Sequence, residues 1–185
     1  MEIESLAREG KPGCRIITLE SMLHMEPEKL EKEMEKVIAG QKDSKILILY
    51  GDCHPHMHEM QNRENFARVE GVNCCEIFLG KELYKKLQKE QAFIFLPEWT
   101  LRWREIFHRE LNLENQEVAG SFMRDLRRRL VYVDTGVIPV PHKTLQEISE
   151  FFGMPVEVLN ISLDNLRTSL DTALIKLDNR CQNVQ

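Results

Sequence analysis

Ile46-Leu47-Ile48-Leu49-Tyr50-Gly51-Asp52-Cys53-His54-Pro55-His56-Met57-His58 is the stretch on which the reading of this chain turns. Its first four residues make a continuous apolar run, the pattern of a short strand buried on both faces, and a glycine closes it. A thiol and three imidazoles follow at once. They are therefore expected at the carboxyl end of a buried strand, where open α/β sheets hold their ligands. About twenty residues on, Asn73-Cys74-Cys75-Glu76-Ile77-Phe78-Leu79-Gly80 brings two more thiols. The two stretches hold three of the five cysteines and three of the six histidines. Thiolate with imidazole is the donor set that suits zinc, iron and other transition metals.

Outward from that strand, the periodicity switches repeatedly between strand and helix. Arg15-Ile16-Ile17-Thr18-Leu19-Glu20 reads as a strand. A helix opens at Glu26-Pro27-Glu28, with proline and acids in its first turn, and runs to about Gly40. A helix from near Cys75 carries Leu79, Leu83 and Leu87, and Ala92-Phe93-Ile94-Phe95-Leu96 follows as a buried strand. Beyond Pro97-Glu98-Trp99, Arg102 to Leu111 and Glu117 to Arg129 read as helices, and Leu130 to Asp134 as a strand. Lys143 to Phe152 is a helix stopped by Gly153, with a strand over Pro155 to Leu159 and a last helix from Leu163 to about Leu177. Alternation with crossover-sized gaps predicts an α/β fold: a three-layer sandwich, mainly a parallel sheet with helices on both faces.

The 185 residues suit one domain, here 14–178, between loosely ordered ends at 1–13 and 179–185 that offer little apolar surface. Five cysteines are an odd number without a secreted-scaffold spacing, and no signal-peptide pattern opens the chain, so a cytoplasmic, reducing location is expected. The longest apolar runs are too short to span a bilayer, which speaks against a membrane partner. A net charge of −5 gives no electrostatic ground for nucleic acid. The basic cluster of Arg124 with Arg127-Arg128-Arg129 reads as the solvated face of a helix rather than an anion site. Gly51 and Gly71 are isolated, so no phosphate loop or dinucleotide fingerprint is present.

Three separated strings carry a resemblance: Leu49-Tyr50-Gly51-Asp52-Cys53, Arg68-Val69-Glu70-Gly71-Val72-Asn73-Cys74, and Phe78-Leu79-Gly80-Lys81-Glu82-Leu83-Tyr84. With Leu23-His24 before Pro27, Glu98-Trp99, and Leu159-Asn160-Ile161-Ser162-Leu163-Asp164-Asn165-Leu166, they resemble the domain of unknown function 1638 family of bacteria and methanogenic archaea. The likeness runs from about residue 15 to residue 175. It implies that Cys53 and Cys74 take the two family cysteine positions. It also implies an association with corrinoid methyl-transfer systems, without an activity. This chain departs from the pattern after Cys53, where His54-Pro55-His56-Met57-His58 replaces the family's small residue.

The candidate metal ligands are Cys53, His54, Cys74 and Cys75, with His56, Cys14 and His24 as further donors. Zinc or iron are the metals expected of them. If three donors converge, the open position can take water or a substrate thiol; a fourth would close the site into a structural one. The competing readings keep Cys74-Cys75 as small apolar filler, or make Cys74 a reactive thiol at a helix start with a neighbouring imidazole as base. Glu98 is the candidate catalytic proton donor or ligand, or else it caps the following helix. Arg68 is a candidate cofactor-binding residue that either takes an anion or pairs with Asp52, and Trp99 is a candidate pocket wall. The expected function is transition-metal binding that assists thiol or methyl-group chemistry, with a small molecule or metal as ligand. The alternative is a non-enzymatic accessory or small-molecule-binding protein that docks a protein partner and whose cysteines are structural.

Overall fold

The computed structural model of the chain describes residues 1–10, 15–41, 44–52, 57–60, 63 and 65–182. In chain order the elements are α1 (Glu2–Gly10), α2 (Pro27–Ala39), β1 (Ile46–Ile48), α3 (Met57–Met60), β2 (Phe66–Arg68), α4 (Cys74–Leu79), α5 (Lys81–Lys89), β3 (Ala92–Phe95), α6 (Pro97–Leu101), α7 (Gln116–Leu126), β4 (Arg129–Asp134), α8 (His142–Phe152), β5 (Val156–Asn160) and α9 (Asp164–Gln182). A 3-10 turn at Ser21–Met25 and a π-helical segment at Glu105–Glu110 join them. Every strand pair is parallel, as the alternation of strand and helix requires, so the class is α/β. No helix among the described residues is long and apolar enough to cross a membrane.

The contacts divide the chain into two compact units. One consists of Leu6–Lys81 with Asp164–Gln185. Its sheet is β1 beside β2, in register from Ile46 opposite Phe66 to Ile48 opposite Arg68. Leu30 and Met34, four residues apart on α2, share a core with Leu23, Ile48, Met57 and Phe66. That spacing puts both on one helical face, and full burial of each such side chain contributes about 1.5–3 kcal/mol. The helix α9 packs on β1, β2 and α4. Its Lys176 hydrogen-bonds Glu70, just past β2, and holds that carboxyl below the usual glutamate range.

The other unit consists of Met1–Ser5 with Glu82–Leu163. Its sheet runs in the order β3-β4-β5. The central strand β4 buries Leu130, Val131, Tyr132 and Val133. Such a run of consecutive buried residues marks a strand covered on both faces. Phe93, Phe95, Phe107, Trp103, Phe151 and Phe152 form a chain of ring contacts around it, with centroids 4.8 to 6.4 Å apart. The helix α8 ends where predicted, on Gly153 with φ 61°. Arg124 donates to the carbonyl of Phe152 at that end, across Gly120 and Gly153, where any Cβ would meet its guanidinium within 3.0 Å.

Three sequence expectations give way. Arg15 to Glu20 forms no strand and leaves Ile16 and Ile17 exposed, because no segment among the described residues pairs with it in a ladder. The second strand is instead Phe66–Arg68, too short to show a period. The helix read through Leu79, Leu83 and Leu87 breaks at Gly80, whose φ of 75° ends α4. Asn165 there takes the carbonyl of Leu79 at 3.1 Å, and its side chain lies 3.0 Å from where a Cβ on residue 80 would sit. Arg102 to Leu111 is likewise no regular α-helix: α6 ends at Leu101 with Arg102 as its cap, and a π-helical segment covers Glu105–Glu110.

Three of the four arginines of the basic cluster, Arg124, Arg128 and Arg129, are bonded inside this second unit. Arg128 bonds Gln91, and Arg129 ties Glu90 to Glu157 across the sheet. Arg129 holds the Glu157 carboxyl below its ordinary value, so the pair's contribution is complete above the ordinary glutamate range and is lost as pH falls through the lowered value. Half-exposed Glu157 limits it to at most about 1 kcal/mol. Arg129→Met should therefore lower the melting temperature at neutral pH, and the gap to the wild type should close on acidification below that range. A gap that stays constant with pH would mean the pair contributes nothing.

Candidate functional site

The two cysteine-bearing segments meet at their bases. Beyond β1, Gly51 lies so close to Asn73 that a Cβ on it would stand 2.5 Å from the Asn73 Cα and 2.9 Å from the Val72 carbonyl oxygen. Only glycine fits such a backbone approach. The next residue locks it, because the Asp52 N–H donates to the Val72 carbonyl at 2.9 Å. Cys53 follows Asp52 in sequence and Cys74 follows Asn73. Cys53 and His54, with Pro55, His56 and Cys14, lie outside the described residues, as does the side chain of His24.

Local capping fixes where Cys74 begins its helix. The Asn73 side chain accepts from the Glu76 N–H at 2.9 Å, and the Glu76 carboxylate accepts from the Val72 N–H at 3.2 Å. This is a reciprocal arrangement of the capping-box kind, shifted by one residue at its return bond. Gly71 at φ 147° turns the chain into it, and the Ile77 side chain fills the space a Cβ would need. Cys74 therefore takes the first helical position and is exposed, while Cys75 is half-buried; both are thiols. Burial, with the neighbouring Cys74 adding to it, pushes the Cys75 thiol up to about 12. The two adjacent cysteines thus have different chemistry: one meets solvent, and the other is held protonated by its burial.

Arg68 ends β2 with only 7% of its side chain exposed. It takes the second of its two predicted roles, donating to the Asp52 carboxylate at 2.5 Å. Asp52 thus touches two segments at once, Val72 through its N–H and Arg68 through its carboxylate. The Arg68 Nε is buried and has no hydrogen-bond partner among the described residues. A donor left so inside a protein is uncommon, and it points along the side edge of the guanidinium, the edge that carboxylates engage in pairs.

The remaining candidates fall in the other unit. Glu98 is exposed in the first turn of α6, and Trp99 beside it is half-buried. Among the described residues no group of three or more His, Cys, Asp or Glu side chains is arranged to hold a metal ion. The parts that sequence reasoning missed are Gly51, Asn73 and Glu76, which act through backbone approach and capping. The spacing of Asn73 and Glu76, three residues apart before an apolar run, was the available signal.

The Arg68–Asp52 pair makes an asymmetric prediction. Asp52→Ala leaves a buried cation unpaired and should cost about 2–3 kcal/mol in chemical denaturation, below the figure for a fully buried pair because about a third of Asp52 stays wet. Arg68→Met removes the charge and keeps most of the volume, so it should cost less. Equal costs would show that the pair, rather than the stranded charge, dominates.

The sequence profile of the family described as "Protein of unknown function (DUF1638)" matches residues 18–170. Comparison with curated proteins and with solved structures gave no match. That span includes both cysteine segments, Arg68 and Glu98-Trp99, so the motifs that resembled the family are parts of one continuous match. The chain belongs to the DUF1638 family.

Proposed function

We propose that the paired segments carrying Cys53 and Cys74 bind a thiophilic transition metal, zinc or iron, and serve thiol or methyl-group chemistry. The observation that carries this reading is the locked approach of Gly51-Asp52 to Val72-Asn73, since each partner is followed directly in sequence by a cysteine. Soft thiolates with His54 as a borderline donor suit those metals better than magnesium or calcium, which favour oxygen. Bound there, the metal would supply Lewis acidity and lower the pKa of a ligand thiol.

The chain's own residues divide the remaining work. Cys74 is the accessible thiol of the second segment. Cys75 would have to lose its proton against the burial that raises its pKa, so it is the weaker donor of the two. Asp52 orients Arg68, whose Nε–H, without a partner among the described residues, is a donor for a polar group of a small ligand. The proposed donor set does not call on Glu98 or Trp99. The second reading, an accessory protein with structural cysteines, is favoured by one residue only, since a half-buried Cys75 that keeps its proton behaves as a small apolar side chain.

Elemental analysis of anaerobically purified protein tests the proposal. Near-stoichiometric zinc or iron is expected, lost in Cys53→Ser and in Cys74→Ser and lowered in Gly51→Ala, whose Cβ forces the segments apart. Metal-free wild-type protein would sink the metal reading and leave the accessory role. Brief alkylation near pH 8 of metal-free protein, read by peptide mass spectrometry, should modify Cys74 at least about 100-fold faster than Cys75, because a thiol near 12 holds almost no thiolate there. Comparable rates would contradict the division of labour between them.

A further inference from the structure

Arg129 is an arginine whose guanidinium is engaged on two sides. Its Nη1 takes the Glu90 carboxylate, while Nε and Nη2 take the two oxygens of Glu157 at 3.0 and 2.5 Å. The side edge thus grips one carboxylate in a fork while the outer nitrogen holds another. Arg68 repeats only half of that pattern. Its Nη1 donates to Asp52 at 2.5 Å, but its Nε, the atom that Glu157 takes on Arg129, is buried without a partner among the described residues. Water can serve a loose N–H on Arg129, whose side chain is 36% exposed, far better than on Arg68, at 7%.

The nearby carboxylates of the chain do not fill that edge. Asp52 sits on Nη1, and Glu70, whose carboxyl Arg68 helps to hold low, is bonded to Lys176 of α9. Arg68 is the last residue of β2, and the carboxyl ends of parallel strands are where α/β sheets hold ligands. Asp52 directly precedes Cys53 and donates its N–H to Val72, two residues before Cys74. Consecutive Cα atoms are about 3.8 Å apart, so the carboxylate on Nη1 belongs to a residue one step from the first cysteine. Asp52 already offsets part of the Arg68 charge and Glu70 stands close, which favours a singly charged carboxylate over a doubly charged phosphate.

We propose that the side edge of Arg68 is a carboxylate-binding subsite, and that the small molecule taken at the cysteine segments is a short monocarboxylic acid bearing a thiol. The thiol end rests on the metal reading above; the carboxylate end does not. The acid's two oxygens accept from Nε and Nη2, as those of Glu157 do on Arg129, and its sulfur turns to the metal held by Cys53 and Cys74. Lysine cannot substitute, because its ammonium is a point charge without the planar fork.

Proton–nitrogen NMR of the full chain tests this, with the Arg68 Nε–H resonance assigned through its own side-chain carbons and metal content measured on the same sample. Propionate and 3-mercaptopropionate, titrated at constant ionic strength, are each expected to shift that resonance saturably, and propanethiol to leave it in place. In metal-loaded protein 3-mercaptopropionate should bind several-fold more tightly than propionate, and Arg68→Lys should weaken both acids several-fold. An Arg68 Nε–H indifferent to propionate would overturn the proposal and leave the metal reading intact, and the wild-type titration decides this even if Arg68→Lys fails to fold. An equal shift with propanethiol, or undiminished binding of both acids by Arg68→Lys, would overturn it too. Equal affinity for the two acids in metal-loaded protein would overturn the thiol end. Metal-free protein that still binds propionate at Arg68 would sink the metal reading, and the thiol end with it, while upholding the carboxylate subsite.

Discussion

A backbone contact without side chains governs the candidate site: Gly51 against Asn73, with the Asp52 N–H on the Val72 carbonyl. The contact lies just beyond β1 and β2, and it extends their pairing into the loops that carry the thiols. A Cβ at position 51 would overlap the Asn73 backbone, which cannot swing aside as a side chain can. The Asp52 carboxylate adds an electrostatic hold on Arg68 to the backbone hold on Val72. The position of Cys74 follows from these anchors together with the Asn73 cap.

Inside that frame, burial and not sequence spacing separates the two adjacent cysteines. Successive helical residues point in different directions, so Cys74 meets solvent while Cys75 is half-buried. The same rule governs the arginines. Arg68 and Arg129 are both committed to carboxylates within their own units, yet Arg129 is screened by water while Arg68 is enclosed and keeps an N–H without a partner among the described residues. An enclosed polar group without a partner costs far more than an exposed one, which makes Arg68 the more informative of the two.

Legibility from sequence followed the length and regularity of each element. The helices at Pro27–Ala39 and His142–Phe152 were readable from proline and acids at one start and glycine at the other end, because those signals act locally. The apolar strands β3 and β4 were readable from their runs. Arg15 to Glu20 carries a strand-like pattern just as plainly and makes no strand, since pairing depends on a neighbour that no local pattern names. Phe66–Arg68 makes a strand with hardly any pattern because β1 provides that neighbour. The break at Gly80 was hidden for a related reason, as the residue that accommodates it, Asn165, lies 85 positions away.

By itself, the sequence determined the α/β class, the parallel pairing implied by alternating elements, the family, and the residue types able to hold a soft metal or thiol ligand. Those follow from periodicity, capping residues and side-chain chemistry, which are properties of short segments. Tertiary structure alone decided that Gly51 abuts Asn73, that Arg68 pairs with Asp52, that Cys75 is half-buried beside an exposed Cys74, and that contacts group into two units where composition marks no boundary. Each of those depends on which distant segments come into contact and on how much water they exclude, and neither quantity is encoded in the spacing of residues along the chain.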